Sequence, residues 1–239
     1  MTTYTTRFLL GFGLAGAVGA AAAHDLWLEP APGGFTVQYG HHPQLVSHGG
    51  ETRIAYAPSI VKSALCVDAG GSQRPAKLGS TYPVRLEGDC AVAYVLTSSG
   101  YWTKTTAGTK NLKKSEVTAP LSAWQSFESV KQIVAWGDGA SKPLGTPLEI
   151  VPADNPLVLR DGDKLTVRVL ANGQPVPNAV VTYDGKPRGE TGADGAVNIR
   201  VKHGGMQLVQ ASVRTPHAGP EADEVVHTTA LSFVLGAAQ

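Results

Sequence analysis

Short runs of two-residue alternation constrain this chain more than any other feature of its sequence. They recur as Phe35-Thr36-Val37-Gln38-Tyr39, Arg53-Ile54-Ala55-Tyr56 and Cys90-Ala91-Val92-Ala93-Tyr94-Val95-Leu96. Later come Leu165 to Leu170, Ala179 to Tyr183, Leu208 to Val213 and His227 to Val234. Each run is rich in Val, Thr and aromatic residues and is bounded by Gly, Pro, Asn or Asp, which end strands by turning the chain. Many short strands at such spacing pack as β-sandwiches, because each one buries only a single side of its pleat. The expected fold is mainly β: two β-sandwich domains, with one short helix in the N-terminal one. The spacing of Trp124, Phe127, Val130 and Lys131 predicts that helix over Ser122 to Ile133.

A boundary is expected near Gly145 to Pro156, where an edge strand runs into a polar, Pro-bounded linker. Beyond it, Asn172-Gly173 predicts a tight turn, with Ala179 to Tyr183 as the returning strand. Asp184-Gly185 and Asp194-Gly195 predict two further reversals. The segments Gly173 to Ala179 and Thr191 to Gly195 resemble the repeat of prealbumin-like sandwiches, so the C-terminal domain is expected to be prealbumin-like or Ig-like. The divisions that follow are a leader at 1–23, an N-terminal β domain at 24–148 and a C-terminal sandwich at 149–239.

The leader reads as a secretory signal. A short basic region, Met1 to Arg7, precedes an uncharged apolar run from Phe8 to Ala23 that ends in four alanines. That run falls short of the ~20 apolar residues of a membrane-spanning helix. Ala21 and Ala23 satisfy the small-x-small rule for cleavage before His24. What remains, about 215 residues, suffices for one large or two small β domains. A periplasmic location with no membrane anchor after processing is expected. Cys66 and Cys90 are the two cysteines, and an oxidising compartment favours a disulfide between them. Such a bridge stabilises by about 3 kcal/mol through restriction of the unfolded chain. With 20 basic and 19 acidic residues the net charge is +1, which argues against nucleic acid as a partner.

Histidine is the residue type that stands out. The seven are His24, His41, His42, His48, His203, His217 and His227. After cleavage His24 would carry a free amine beside its imidazole, a chelating pair for a divalent transition metal. Cleavage after Ala21 would instead leave Ala22-Ala23-His24, a tripeptide able to wrap Ni²⁺ or Cu²⁺ in a square plane. His41, His42 and His48 lie at a strand end and in the following loop, with Pro43 ending the strand. Adjacent strand residues point to opposite faces, which places one of His41 and His42 inward; His42 adjoins the Pro-fixed bend. His203 precedes Gly204-Gly205, and His227 opens the final strand. Imidazole suits Zn, Cu, Fe and Ni, whereas two methionines and no spare thiol argue against Cu(I). No HExxH, Gly-x-Ser-x-Gly or phosphate-cradling Gly-rich loop occurs, and the carboxylate pairs lie in turn-like contexts, so no enzyme activity is expected.

The start His24-Asp25-Leu26-Trp27-Leu28-Glu29-Pro30 and the segment Tyr39-Gly40-His41-His42-Pro43 resemble exported proteins of the DUF4198 family. Ser99 to Thr105, Pro143 to Pro152, Gly173 to Ala179 and the closing Thr228 to Phe233 extend the resemblance over nearly the whole mature chain. The resemblance implies a periplasmic nickel- or cobalt-binding component that works beside energy-coupling-factor-type metal importers. It implies a largely imidazole site near the domain junction, formed here by His24, His42, His48, His203 and His227, with His41 in reserve. The expected cargo is Ni²⁺ or Co²⁺, with Cu²⁺ an acceptable substitute. The expected partner of the monomeric protein is a membrane metal importer. Two other classes fit the same residues: a copper oxidative enzyme built on an N-terminal His, and a non-catalytic structural or adhesion sandwich.

Overall fold

The structure is a computed structural model, and it describes residues 25–42 and 53–236. The leader, His24 and His48 lie outside the described residues. The first half of the chain forms β1 (Asp25–Ala31), β2 (Gly34–Gly40), β3 (Val61–Val67), β4 (Gln73–Pro75) and β5 (Lys77–Leu78). It continues through β6 (Arg85–Glu87), β7 (Val92–Thr105), β8 (Gly108–Lys110), β9 (Ser122–Ile133) and the four-residue helix α1 (Asp138–Ser141). The second half forms β10 (Glu149–Pro152), β11 (Lys164–Ala171), β12 (Gln174–Pro175) and β13 (Val180–Tyr183). It closes with β14 (Lys186–Glu190), β15 (Ala196–Arg200), β16 (Gly205–Pro216) and β17 (Glu224–Leu235).

These strands build three sheets. A nine-stranded sheet runs β14-β13-β16-β17-β9-β7-β3-β4, with β8 paired to β7. One small sheet runs β1-β2-β6-β5, and another runs β10-β11-β12 with β15 on β11. The small sheets cover opposite faces of the large one, as its alternating side chains require. Ala93, Val95, Val130, Leu208 and Ala230 pack with Leu26, Leu28, Phe35, Val37 and Leu86 of β1, β2 and β6. Val92, Ile133, Val209, Leu231 and Phe233 point the other way, onto Ile150, Leu165, Val167 and Ile199 of β10, β11 and β15. We call these the hairpin face and the far face. Fully buried residues such as Leu231 and Phe233 each stabilise the stack by about 1.5–3 kcal/mol.

The mainly β class holds, and so does the disulfide, which joins Cys66 on β3 to Cys90 ahead of β7. The helix predicted over Ser122–Ile133 is instead the strand β9. It pairs antiparallel with β7 and parallel with β17, so its backbone donors and acceptors are used on both edges. Polar residues stand on both of its faces, Ser129 and Lys131 on one and Glu128 and Gln132 on the other, so no two-residue alternation marks the strand, and the three-residue spacing of its apolar residues misleads. The helix of the first half is α1, further along the chain.

Two smaller expectations also change. Arg53 to Tyr56 is no strand; Arg53 makes a single bridge to Gly40. The Asn172-Gly173 turn forms, with φ of 49° and 79°, and Gln174–Pro175 pairs back on β11. The strand after it does not return to β11: β13 pairs β14 and β16 in the large sheet. Pro175 and Pro177 lack backbone donors, which ends the ladder there. The large sheet also crosses the expected boundary at 148/149, because β17 from the second half lies beside β9 from the first.

Candidate functional site

The open end of the β1–β2 hairpin gathers more ionisable side chains than its surroundings. Asp25 pairs with Gly40 on the first described rung, so the chain reaches His41 and His42 directly from it. Asp25 is buried at 7% exposure, and its carboxylate accepts the His42 backbone N–H and the Gln210 amide, both at 3.2 Å. The His42 ring meets Trp27 edge-on at 5.2 Å. Tyr39 donates its hydroxyl to Glu128 at 3.4 Å. Arg53 closes the rim on Glu29 at 2.5 Å.

Burial sets the protonation behaviour of this group. It raises the Asp25 pKa, against the opposing hydrogen bonds from His42 and Gln210 and the charges of His41 and His42. It pushes the half-buried Glu128 up to about 7, against the Tyr39 hydrogen bond and with help from the Asp25 charge. It lowers the pKa of His42, against the pull of Asp25, Glu29 and Asp184. His42 is therefore a neutral imidazole near pH 7, the form that binds metal. Asp25, which contacts the His42 backbone, is one of two carboxyl groups with raised pKa values at this hairpin end.

His203 belongs to the same neighbourhood through Asp184. Its Nε2 lies 2.8 Å from Asp184 Oδ2, its Nδ1 lies 2.7 Å from the Gly204 carbonyl, and its ring stacks on Tyr183. Burial opposes a charge on His203, but the Gly204 and Asp184 contacts outweigh it and raise the pKa. The second Asp184 oxygen, Oδ1, is buried with no hydrogen-bond partner among the described residues. A bare buried carboxylate oxygen is costly unless something positive or hydrogen-bonding approaches it.

His227 stands apart. It projects from β17 onto the far face, 3.3 Å from Ser129 Oγ and beside the Phe127 ring. Burial pushes its pKa down to about 4. The large sheet separates it from His42. Among the described residues no three His, Cys, Asp or Glu side chains are grouped so as to hold a metal ion. His42 thus feels the charge of Asp184, the partner of His203, while His227 lies elsewhere. Sequence reasoning missed Asp25, Glu128, Asp184 and Gln210. Asp25 was adjacent to His24 in plain view; Glu128 was concealed by the helical reading, and Asp184 by its role in a turn.

At the other end of the hairpin lies a groove of about 560 Å³, lined by Phe35, Ala91, Ile133, Val134, Leu157 and Val234 among others. Its lining is mostly apolar.

Fold and site together describe a mainly β protein of stacked sheets with a histidine–carboxylate cluster at one hairpin end. The family model for DUF4198, a domain of unknown function, matches residues 21–215, and the chain belongs to that family. No curated protein matches significantly. Among solved structures, the four N-terminal Ig domains of Dscam1 isoform 9.44 are similar at 12% identity and a TM-score of 0.21. The same domains of isoform 6.9 are similar at 10% identity and a TM-score of 0.22. In both cases 73% of this chain is covered and 37% of the other, so the chain spans well under half of those structures. Likeness at this level carries nothing about ligands.

Proposed function

We propose that the protein is an exported binder of a divalent transition-metal ion, Ni²⁺ or Co²⁺, which it captures outside the cytoplasm and passes to a membrane importer. The observation that carries this reading is a neutral His42 within electrostatic reach of the Asp25 and Asp184 carboxylates, the second of which has an unused buried oxygen. His41 follows the Asp25–Gly40 rung directly, so a further imidazole adjoins the same hairpin end. A cation there would relieve the carboxyl groups that burial holds toward their protonated forms, and it would displace protons as it bound. Acidification would then release it by protonating the imidazoles. The Cys66–Cys90 bridge suits an oxidising compartment.

Isothermal titration of the processed protein with Ni²⁺ at pH 7 tests the reading. Binding should be accompanied by proton release, and Asp25→Asn with His42→Ala should weaken it at least tenfold. Unchanged affinity in that double variant would move the site elsewhere. No uptake of Ni²⁺, Co²⁺, Cu²⁺ or Zn²⁺ by the folded wild type would sink the carrier and leave a non-catalytic sandwich.

A further inference from the structure

The far face holds a second polar cluster that takes no part in the proposed metal site. Lys131 on β9 and Glu149 on β10 are both 0% exposed, and Nζ stands 3.2 Å from Oε2. The two strands belong to different sheets, so the pair spans two layers of the molecule. Glu149 is firmly held. Its Oε1 accepts the backbone N–H groups of Leu144 at 2.8 Å and Gly145 at 3.0 Å. Lys131 is not: besides Glu149, the hydrogen bond described for it is a long one of 3.5 Å to the Lys142 carbonyl. An ammonium carries three donors, and a dry interior penalises those left without acceptors. Burial accordingly lowers the lysine pKa, against the attraction of Glu149. The arrangement sets an amine against a carboxyl group, with the Glu149 carboxyl carbon one bond beyond the oxygen that Nζ contacts.

We propose that Lys131 and Glu149 condense to an intramolecular amide that joins β9 to β10. The ammonium first gives a proton to the carboxylate. The freed nitrogen lone pair attacks the Glu149 carboxyl carbon and the C–N bond forms. Negative charge collects on Oε1, where the Leu144 and Gly145 N–H groups already point, as donors do in an oxyanion hole. Oε2, bearing one proton, takes a second from the attacking nitrogen and leaves as water. Amine and acid become amide and water, and no oxidant or cofactor is required. The product replaces two opposite buried charges by a neutral group, which removes their desolvation cost.

The test is peptide mapping of the purified, folded wild-type protein after reduction, denaturation and trypsin digestion. The expected product is one branched peptide containing Lys131 and Glu149, lighter than the sum of its two parts by one water, with no cleavage after Lys131. A wild-type map with cleavage after Lys131 and both peptides at full mass overturns the proposal and leaves an ordinary buried ion pair. A loss of water mapped to any other pair of residues overturns it equally. The readout on the wild-type chain does not depend on a variant that folds.

Discussion

On the hairpin face of the large sheet, burial works on carboxyl groups; on the far face it works on a histidine and a lysine. Asp25 and Glu128 are driven toward their protonated forms, while His227 and Lys131 are driven toward their neutral ones. The strands are the same, and successive residues of β9 alone supply Glu128 to one side and Ser129 beside His227 to the other. What differs is the company. The far face answers its buried lysine with Glu149 inside a sealed layer, whereas Asp184, whose charge reaches His42, keeps a buried carboxylate oxygen unmet. A sealed pair points to cohesion between layers. An open set of neutral imidazole and crowded carboxylates points to a cation.

The comparison breaks most sharply at Glu149. Glu149→Ala strips Lys131 of its partner in the interior and should cost about 3–5 kcal/mol, read as a lower urea midpoint. Glu128→Ala on the other face should cost far less at pH 7, and an equal loss would erase the distinction. Next in size is the pH dependence of Glu128. Its raised pKa gives a contribution fully present below about 4.5 and lost as pH rises through about 7. Glu128→Gln should therefore flatten the fall in stability across that window in a series of urea melts. The smallest effect belongs to His227. Its depressed pKa gives a contribution present above 6.5 and lost as pH falls through about 4. His227→Gln should soften acid unfolding in that range. The two variants should thus tilt the stability curve in opposite directions between about pH 4.5 and 6.5, and parallel tilts would refute the contrast.

Local chemistry was readable from the sequence, and long-range pairing was not. Asn172-Gly173 adopts the positive φ values that its residues invite, and Cys66 meets Cys90. Leu165 to Leu170 lies within β11 as its alternation requires. Ser122–Ile133 was misread because polar residues on both faces erase the alternation that reveals a strand. The destination of β13 was misread because a turn fixes only the next few residues, and the chain crosses to another sheet after Pro175. At the candidate site, imidazoles draw attention by residue type alone, and His42 was singled out that way. The carboxylates did not, since Asp25, Glu128 and Asp184 gain significance only through burial and through strands far apart in sequence. His227 looked equivalent to His42 until the pleat turned it to the opposite side.

The neighbourly arrangement of β9 and β17 has a consequence for how the molecule is made. One edge of β9 waits for a partner that lies at the very end of the described chain, so nearly the whole polypeptide must be present before the central sheet can close. Contacts of such long sequence separation assemble slowly. Until β17 is available, one edge of β9 stays unpaired and the core beneath the far face stays open.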